Sequence, residues 1–418
     1  MAILAVVTAV AICMVIVNEF GTRTTIDMLQ ARNNLDQMRA ELLARSSLNL
    51  TDLVLRLQRR LDNAAASVPQ LEGIQITDFA DSLMAAFGGD AEQVEAAIGV
   101  PIADTKGLGV SIGSFGVRLT PIDGKININC AASRDAAQLA LVRRSLEALF
   151  YPNAFDPVFQ EADSEGWRRD RKTQVDALMD YVDPNFDRAD TPGAPEDYGY
   201  EGLRDPYKAK NRAIDSVAEL KLVRGVDDRL WTLFGSAFRV AGDCKINLRA
   251  RDDAKIIAGL ITLAAKPNDP VANDLNMVWT IANLVLQAKQ YGFYFNDVGS
   301  FVEFVKDPAA AFAGLAGDAS GQGGSTGATP PIPNLPPGLT GIELDAAKLN
   351  QIAASTPVRV YDVEVYGEVA RGGILNPLRR TLHATWDQEL VLSRTTRVQP
   401  KLPPGKNSRG GWLYLREE

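Results

Sequence analysis

MAILAVVTAVAICMVIVN, residues 1–18, contains no charged side chain, and the run from Glu19 to Leu61 has no proline and only Gly21 as a glycine. At about 1.5 Å per helical residue the uncharged part spans roughly 27 Å, close to the thickness of a bilayer's hydrocarbon core. Beyond it Leu35, Met38, Leu42, Leu50, Leu53, Val54, Leu57 and Leu61 recur at three- and four-residue steps, the spacing of a helical stripe. The expectation is one continuous helix over residues 1–62, apolar at its start and amphipathic below. Its stripe should bury half its width on the chain's own sheet and half on neighbouring helices, with Leu50, Leu53 and Leu57 as assembly residues.

Three readings compete for this opening. A signal peptide needs a basic region ahead of its apolar core and a small-residue cleavage site after it. Here the apolar run begins at Met1, and Asn18-Glu19-Phe20-Gly21 is a poor site. A plain membrane anchor gives no reason for the helix to continue for many turns in water. The stretch resembles the stem of a type IV pilin-like protein already stripped of its basic leader, with Met1 as its first residue.

The chain has 418 residues and a formal net charge of −8, which argues against binding DNA through phosphate neutralisation. Its single histidine, His383, excludes multi-histidine metal centres, and it sits in the alternating run RTLHATW, where a structural role fits best. No phosphate loop, dinucleotide fingerprint or HExxH is present. Nothing in the spacing of the carboxylates recommends a hydrolase, so the sequence points away from an enzyme.

Along the chain, 76–87 reads as a short helix, and 108–129 as short strands around the Asp123-Gly124 turn. Residues 130–312 read as an all-helical inserted domain between the first part of a sheet-bearing domain (63–129) and its completion. Helical periodicity marks 136–150, 171–182, 216–223, 255–265 and 276–290, and 293–304 is a helix or an extended lead into one. Residues 313–341, rich in Gly, Ser and Pro, read as a mobile linker. Residues 342–418 should supply the strands that complete an antiparallel sheet. The fold class is α+β. A weak repeat relates Asp123–Asn129 (DGKININ) to Asp243–Asn247 (DCKIN). If the copies pair or lie side by side, Cys130 and Cys244 approach each other and, in an oxidising compartment, can form a disulfide. Two separate buried thiols are the alternative.

IDGKININ (122–129), VDALMDYVDPN (175–185), GAPEDYGY (193–200), DPYKAKN (205–211) and SVAELKLVRGV (216–226), in that order, resemble general secretion pathway protein K (GspK). These proteins are the large minor pseudopilins of type II secretion. The resemblance implies a pilin-like fold with a helical insert and a place at the tip of a periplasmic pseudopilus, where the protein helps start assembly. Implied partners are minor pseudopilins of the I and J types, the major pseudopilin, the inner-membrane assembly platform and prepilin peptidase. Implied location is a single pass through the bacterial inner membrane, N-terminus cytoplasmic and bulk periplasmic. Ala5 fits, because most pilin-like subunits carry Glu at mature position five and protein K typically lacks it.

The family binds calcium in this insert, which carries the possibility onto Asp183, Asn185 and Asp187, a D-x-N-x-D run, with Glu196 and Asp197 closing the site. Hard cations collect such oxygens, usually six to eight. An EF-hand loop is not matched, since Arg188 stands where Gly is needed. Asx-turns and caps in a solvated loop are the alternative reading. No other cofactor is expected. A second function class comes from 216–234, whose helix-Gly-Val-helix outline resembles a DNA-gripping helix-hairpin-helix. Asp227 and Asp228 at its turn would repel phosphate.

Overall fold

The computed structural model describes residues 2–65, 68, 75–81, 84, 113–162, 166–167, 170–189, 191, 193–196, 198–250, 253–290, 293–312, 339–370, 376–388 and 411–417. The chain divides into two compact units, Met1–Leu119 with Asp362–Glu418, and Thr120–Tyr361.

In the first unit, helix α1 runs unbroken over Ala2–Ala65. Its opening is long and apolar enough to cross a membrane, with mean hydropathy 2.4 and none of that window buried. Lower down, the side chains that α1 buries are Ala40, Ala44, Ser47, Thr51, Val54, Leu55 and Gln58. These also recur at three- and four-residue steps, but of the expected stripe they include only Val54. Leu53 is 61% exposed and Leu57 49%, with Leu35, Met38 and Leu42 exposed as well and Leu50 half-buried. The reason is close approach to the sheet: a Cβ on Gly367 would lie 2.1 Å from the Ala40 carbonyl oxygen and 2.5 Å from the Ala44 nitrogen. Only small residues permit that spacing, so the leucine stripe turns outward. Ser47 Oγ donates to the Gly116 carbonyl at 2.9 Å, fixing the helix's rotation about its axis.

The sheet contains β1 (Gly113–Pro121), β6 (Val360–Val369), β7 (Leu378–Asp387) and β8 (Gly411–Glu417), in that spatial order. In β6 Val363, Val365 and Val369 are buried and Asp362 is exposed, the period-two pattern of a one-sided sheet. Strands β7 and β8 are antiparallel, with a register shift between Thr385 and Trp386. His383 lies on β7 opposite Arg416, a strand position.

The second unit interrupts the sheet between β1 and β6 and has its own core. Helices α2 (Ala136–Phe150), α3 (Asp156–Gln160), α4 (Arg171–Asp180), α5 (Asp228–Phe234), α6 (Ala254–Ala264), α7 (Leu275–Gln290), α8 (Val298–Lys306) and α9 (Ala346–Ile352) build it. Local signals set several starts: Asp135, Asp170, Asp227, Asp253, Asp297 and Asp345 each cap a helix by accepting from its first-turn amides. Helices α2 and α6 cross closely at Gly259, where a Cβ would meet the Ala148 carbonyl oxygen at 2.3 Å. Phe150, Phe155, Phe159 and Phe234 interlock between them and α5 in tilted and edge-on contacts.

Three differences from expectation stand out. Residues 217–222 form a 3-10 helix rather than an α-helix. Residues 342–359 belong to the helical unit and precede the sheet strand β6: Asp345 caps α9, and Ala353–Ala354 pairs as β5 with β4 (Ile246–Asn247). The insert is therefore not wholly helical, since β2 (Ile126–Asn127) also pairs in parallel with β3 (Phe238–Arg239). The two repeat copies do not pair with each other but play equivalent parts. Asn127 accepts from the Asn129 amide and donates to the Gly242 carbonyl, while Asn247 accepts from the Arg249 amide and donates to the Thr356 carbonyl. They lie side by side, joined by a disulfide between Cys130 and Cys244 and by the Asn247 amide donating to the Asp123 carbonyl at 3.0 Å. Residues 82–83, 85–112 and 313–338, covering parts of the expected helix, strands and linker, lie outside the described residues.

Arg239 ties this region together. It is 2% exposed, donates to Asp123 at 3.1 Å, and also donates to the carbonyls of Lys125, Ala241 and Asp243. Asp123 accepts from the amides of Arg359 and Val360. Burial raises the Asp123 carboxyl, with Arg239 the largest opposing influence.

Candidate metal centre

Helix α4 ends at Asp180, and the chain folds back tightly: Tyr181, Val182 and Asp183 donate to the carbonyls of Ala177 and Met179. A ladder of Asx-turns follows. Asn185 donates its backbone and side-chain nitrogens to Asp183, and the Asp187 amide donates to Asn185 Oδ1 at 2.8 Å. The Arg188 amide reaches the Ala194 carbonyl at 2.9 Å, and Asp187 and Pro195 form an antiparallel bridge, which returns the chain with Glu196 beside Asp183.

Three carboxylates converge as a result. Oxygens of Asp180, Asp183 and Glu196 lie within 4.8 Å of one another, and the residues are 0%, 7% and 7% exposed. Asp180 accepts from the Ala189 amide and from the Tyr198 hydroxyl at 2.6 Å. Neither oxygen of Glu196 has a hydrogen-bond partner of proper geometry, and Asn211 Oδ1 nearby has none either. Burial pushes the Glu196 carboxyl up to about 8, with Asp183 and Asp180 adding to the rise and the Asn211 amide opposing it. Burial also raises Asp180 to about 6 and moves Asp183 upward. Three acids gathered in one buried site are costly unless protonated or bound to a cation.

The sequence-read residues divide accordingly. Asp183 and Glu196 are in the cluster. Asn185 and Asp187 are exposed and occupied in the turn ladder, and Asp197 lies outside the described residues. Asp180 was not read as a candidate because it closes a helix; its spacing of three from Asp183 across a helix C-terminus was the available signal. The donor set suits a hard cation: three carboxylates offer up to six oxygens, two of them unpartnered and buried, with a carbonyl from Asn211 adjacent.

The 216–234 turn is differently furnished from a phosphate grip. Asp227 accepts from the Leu230 amide at 2.9 Å, so that donor is already engaged, and Lys221 lies over the Trp231 ring at 4.9 Å.

Residues 124–234, which contain the whole carboxylate cluster, match a family described as Type II secretion system (T2SS), protein K. That stretch is therefore similar to protein K of type II secretion. Among solved structures, the chain resembles one in the GspK-GspI-GspJ complex from the enterotoxigenic Escherichia coli Type 2 Secretion System. Identity is 14% and the TM-score 0.41, over 73% of this chain and 80% of that one. No curated protein sequence matches it.

Proposed function

We propose that the chain is a minor pseudopilin at the tip of the type II secretion pseudopilus, where it helps initiate assembly with I- and J-type minor pseudopilins. In this reading it works by contact rather than catalysis, anchored through α1 in the inner membrane with its bulk periplasmic. The major pseudopilin, the assembly platform and prepilin peptidase are its further partners. The observation that carries the reading is a protein K match inside a unit inserted between two neighbouring strands of a sheet that is backed by a long, apolar-tipped helix. The E. coli complex, named for GspK with GspI and GspJ, supplies the partner types. A strain lacking the gene should accumulate folded exoproteins in the periplasm and lose them from the medium. Intact secretion with lost twitching or DNA uptake would transfer the chain to a related pilus system.

The same reading includes calcium held by Asp180, Asp183 and Glu196. Bound there, the cation supplies only charge balance and a cross-link between the end of α4 and the returning loop. Chelation should lower the wild-type melting temperature by several degrees, as expected for a ligand well above its dissociation constant. Asp183→Asn should make melting indifferent to the chelator. A wild-type protein whose melting ignores chelation has no such site.

A further inference from the structure

A half-open pocket of about 220 Å³ lies along the 186–211 stretch, small beside ordinary ligand clefts and suited to one or two side chains. Phe186, Pro195, Tyr207 and Ala209 wall it, and the buried Tyr200 lines it as well. The Tyr200 and Tyr207 rings stand 5.1 Å apart at 43°, an open notch rather than a stack. Their hydroxyls are held by backbone groups that do not line the pocket. Tyr200 accepts from the Arg224 amide at 3.0 Å, and Tyr207 donates to the Leu222 carbonyl at 2.7 Å. The tyrosines therefore offer the pocket chiefly ring surface. Phe186 is 76% exposed, and Asn185 and Asp187 on either side of it are engaged in the turn ladder, so the backbone holds this ring out.

We propose that the pocket receives a proline-rich segment in the polyproline II conformation, presented by a partner polypeptide. Such a segment makes no internal hydrogen bonds, and proline has no N–H, so it brings apolar rings and carbonyl acceptors. The pocket is the complement of both. Aromatic walls are the surface on which proline-rich segments dock. Lys208, in the lining and exposed, has three N–H donors, and its side chain has no partner among the described residues. Strongly charged segments fit less well, because Glu201 and Lys208, the exposed charges of the lining, are of opposite sign and favour neither. A flexible apolar segment fits less well too, since it loses conformational freedom that a preformed helix has already given up. The oxygens of Glu196 belong to the carboxylate cluster and take no part. The inference goes beyond the pseudopilin reading by giving one surface of the inserted unit a kind of partner, whatever the carboxylates hold.

The test uses the full chain in nonionic detergent with saturating calcium, and saturation-transfer NMR with acetylated, amidated octaproline as probe. The all-D octaproline, of the same composition and the opposite helical hand, is the control. The L probe should show transfer that the D probe lacks. Phe186→Ala, at an exposed turn, should weaken binding about fivefold or more, as should Tyr207→Ala. Tyr151→Ala, which is 52% exposed and outside the lining, should leave binding intact. The melting temperature of each variant checks that it is folded. Equal transfer to both probes, or undiminished binding by Phe186→Ala, overturns the proposal. Replacing this chain's own run PPIPNLPP, residues 330–337, by an equal length of Gly-Ser should leave the affinity unchanged. A rise would make that run the occupant and overturn the assignment to a partner. The calcium reading is tested by melting against chelator alone, so each can fail without the other.

Discussion

In the inserted unit the large aliphatic side chains point inward: Ile257, Leu260 and Ile261 of α6 are all fully buried. In the stem many of them point outward, with Leu35, Leu42, Leu53 and Leu57 exposed while Ala40, Ala44, Ser47 and Thr51 take most of the inner face beside Val54 and Leu55. A unit that buries its largest apolar groups has completed its own core. A helix that exposes a stripe of them and spends its small residues on the sheet has kept a surface for something else. One chain thus contains a finished body and an unfinished one, and the difference is testable.

The largest expected effect is on the finished body. Reducing Cys130–Cys244 releases a cross-link across a sequence separation of 114, worth about 4–5 kcal/mol on loop-closure entropy. Denaturant titration with and without reductant should show probes in the inserted unit shifting far more than probes on β6 to β8. Equal shifts would erase the distinction between the units. Arg239→Met comes next, at about 3–5 kcal/mol, because it strands a buried Asp123 carboxylate. Thermal melts against the Arg239→Met/Asp123→Asn pair separate the stranded charge from lost packing, and the double variant should recover part of the loss.

On the stem side, Gly367→Val should cost about 1–3 kcal/mol by driving a side chain into the α1 backbone. Leu53→Lys should change stability by less than about 0.5 kcal/mol, since the position is exposed, yet abolish co-purification with neighbouring subunits. A large loss of stability in this variant would mean the leucine stripe is core after all. The smallest effect is a slope in pH. Glu196 titrates at about 8 in the fold, above the ordinary carboxylate range, so its penalty is complete above that pH and vanishes once it is protonated in both states. With chelator present, the melting temperature should climb as pH falls from about 8 toward 5. Saturating calcium should reverse the slope, because protons and metal then compete.

Much of this was legible in the chain. The α2 boundaries follow from the Asp135 cap and from Val142, Leu146 and Leu149 on one face. The β6 pattern reads directly from VYDVEVYGEV. The rotation of the stem was not legible, because a periodicity argument weighs leucines and is blind to alanine and serine, whose value lies in being small. Residues 342–359 were misplaced because a seven-residue helix capped by Asp345 is short beside the strand-rich run after it. In the carboxylate cluster, the D-x-N-x-D spacing pointed to the loop that carries Asp183. It could not tell Asp183, turned inward, from Asn185 and Asp187, engaged in their own backbone. Asp180 escaped because a helix's last residue is counted with the helix rather than with the loop that follows.

The Ile122 amide donates to the Val360 carbonyl at 3.0 Å, where β1 gives way to the insert and β6 resumes. Two hundred-odd residues leave after β1 and return before β6 at this point, where Asp123 also accepts from the Arg359 and Val360 amides. It is where a tight turn would sit in an uninterrupted hairpin. A lineage could therefore gain or shed the whole detour in one recombination event, with the flanking strands keeping their neighbours.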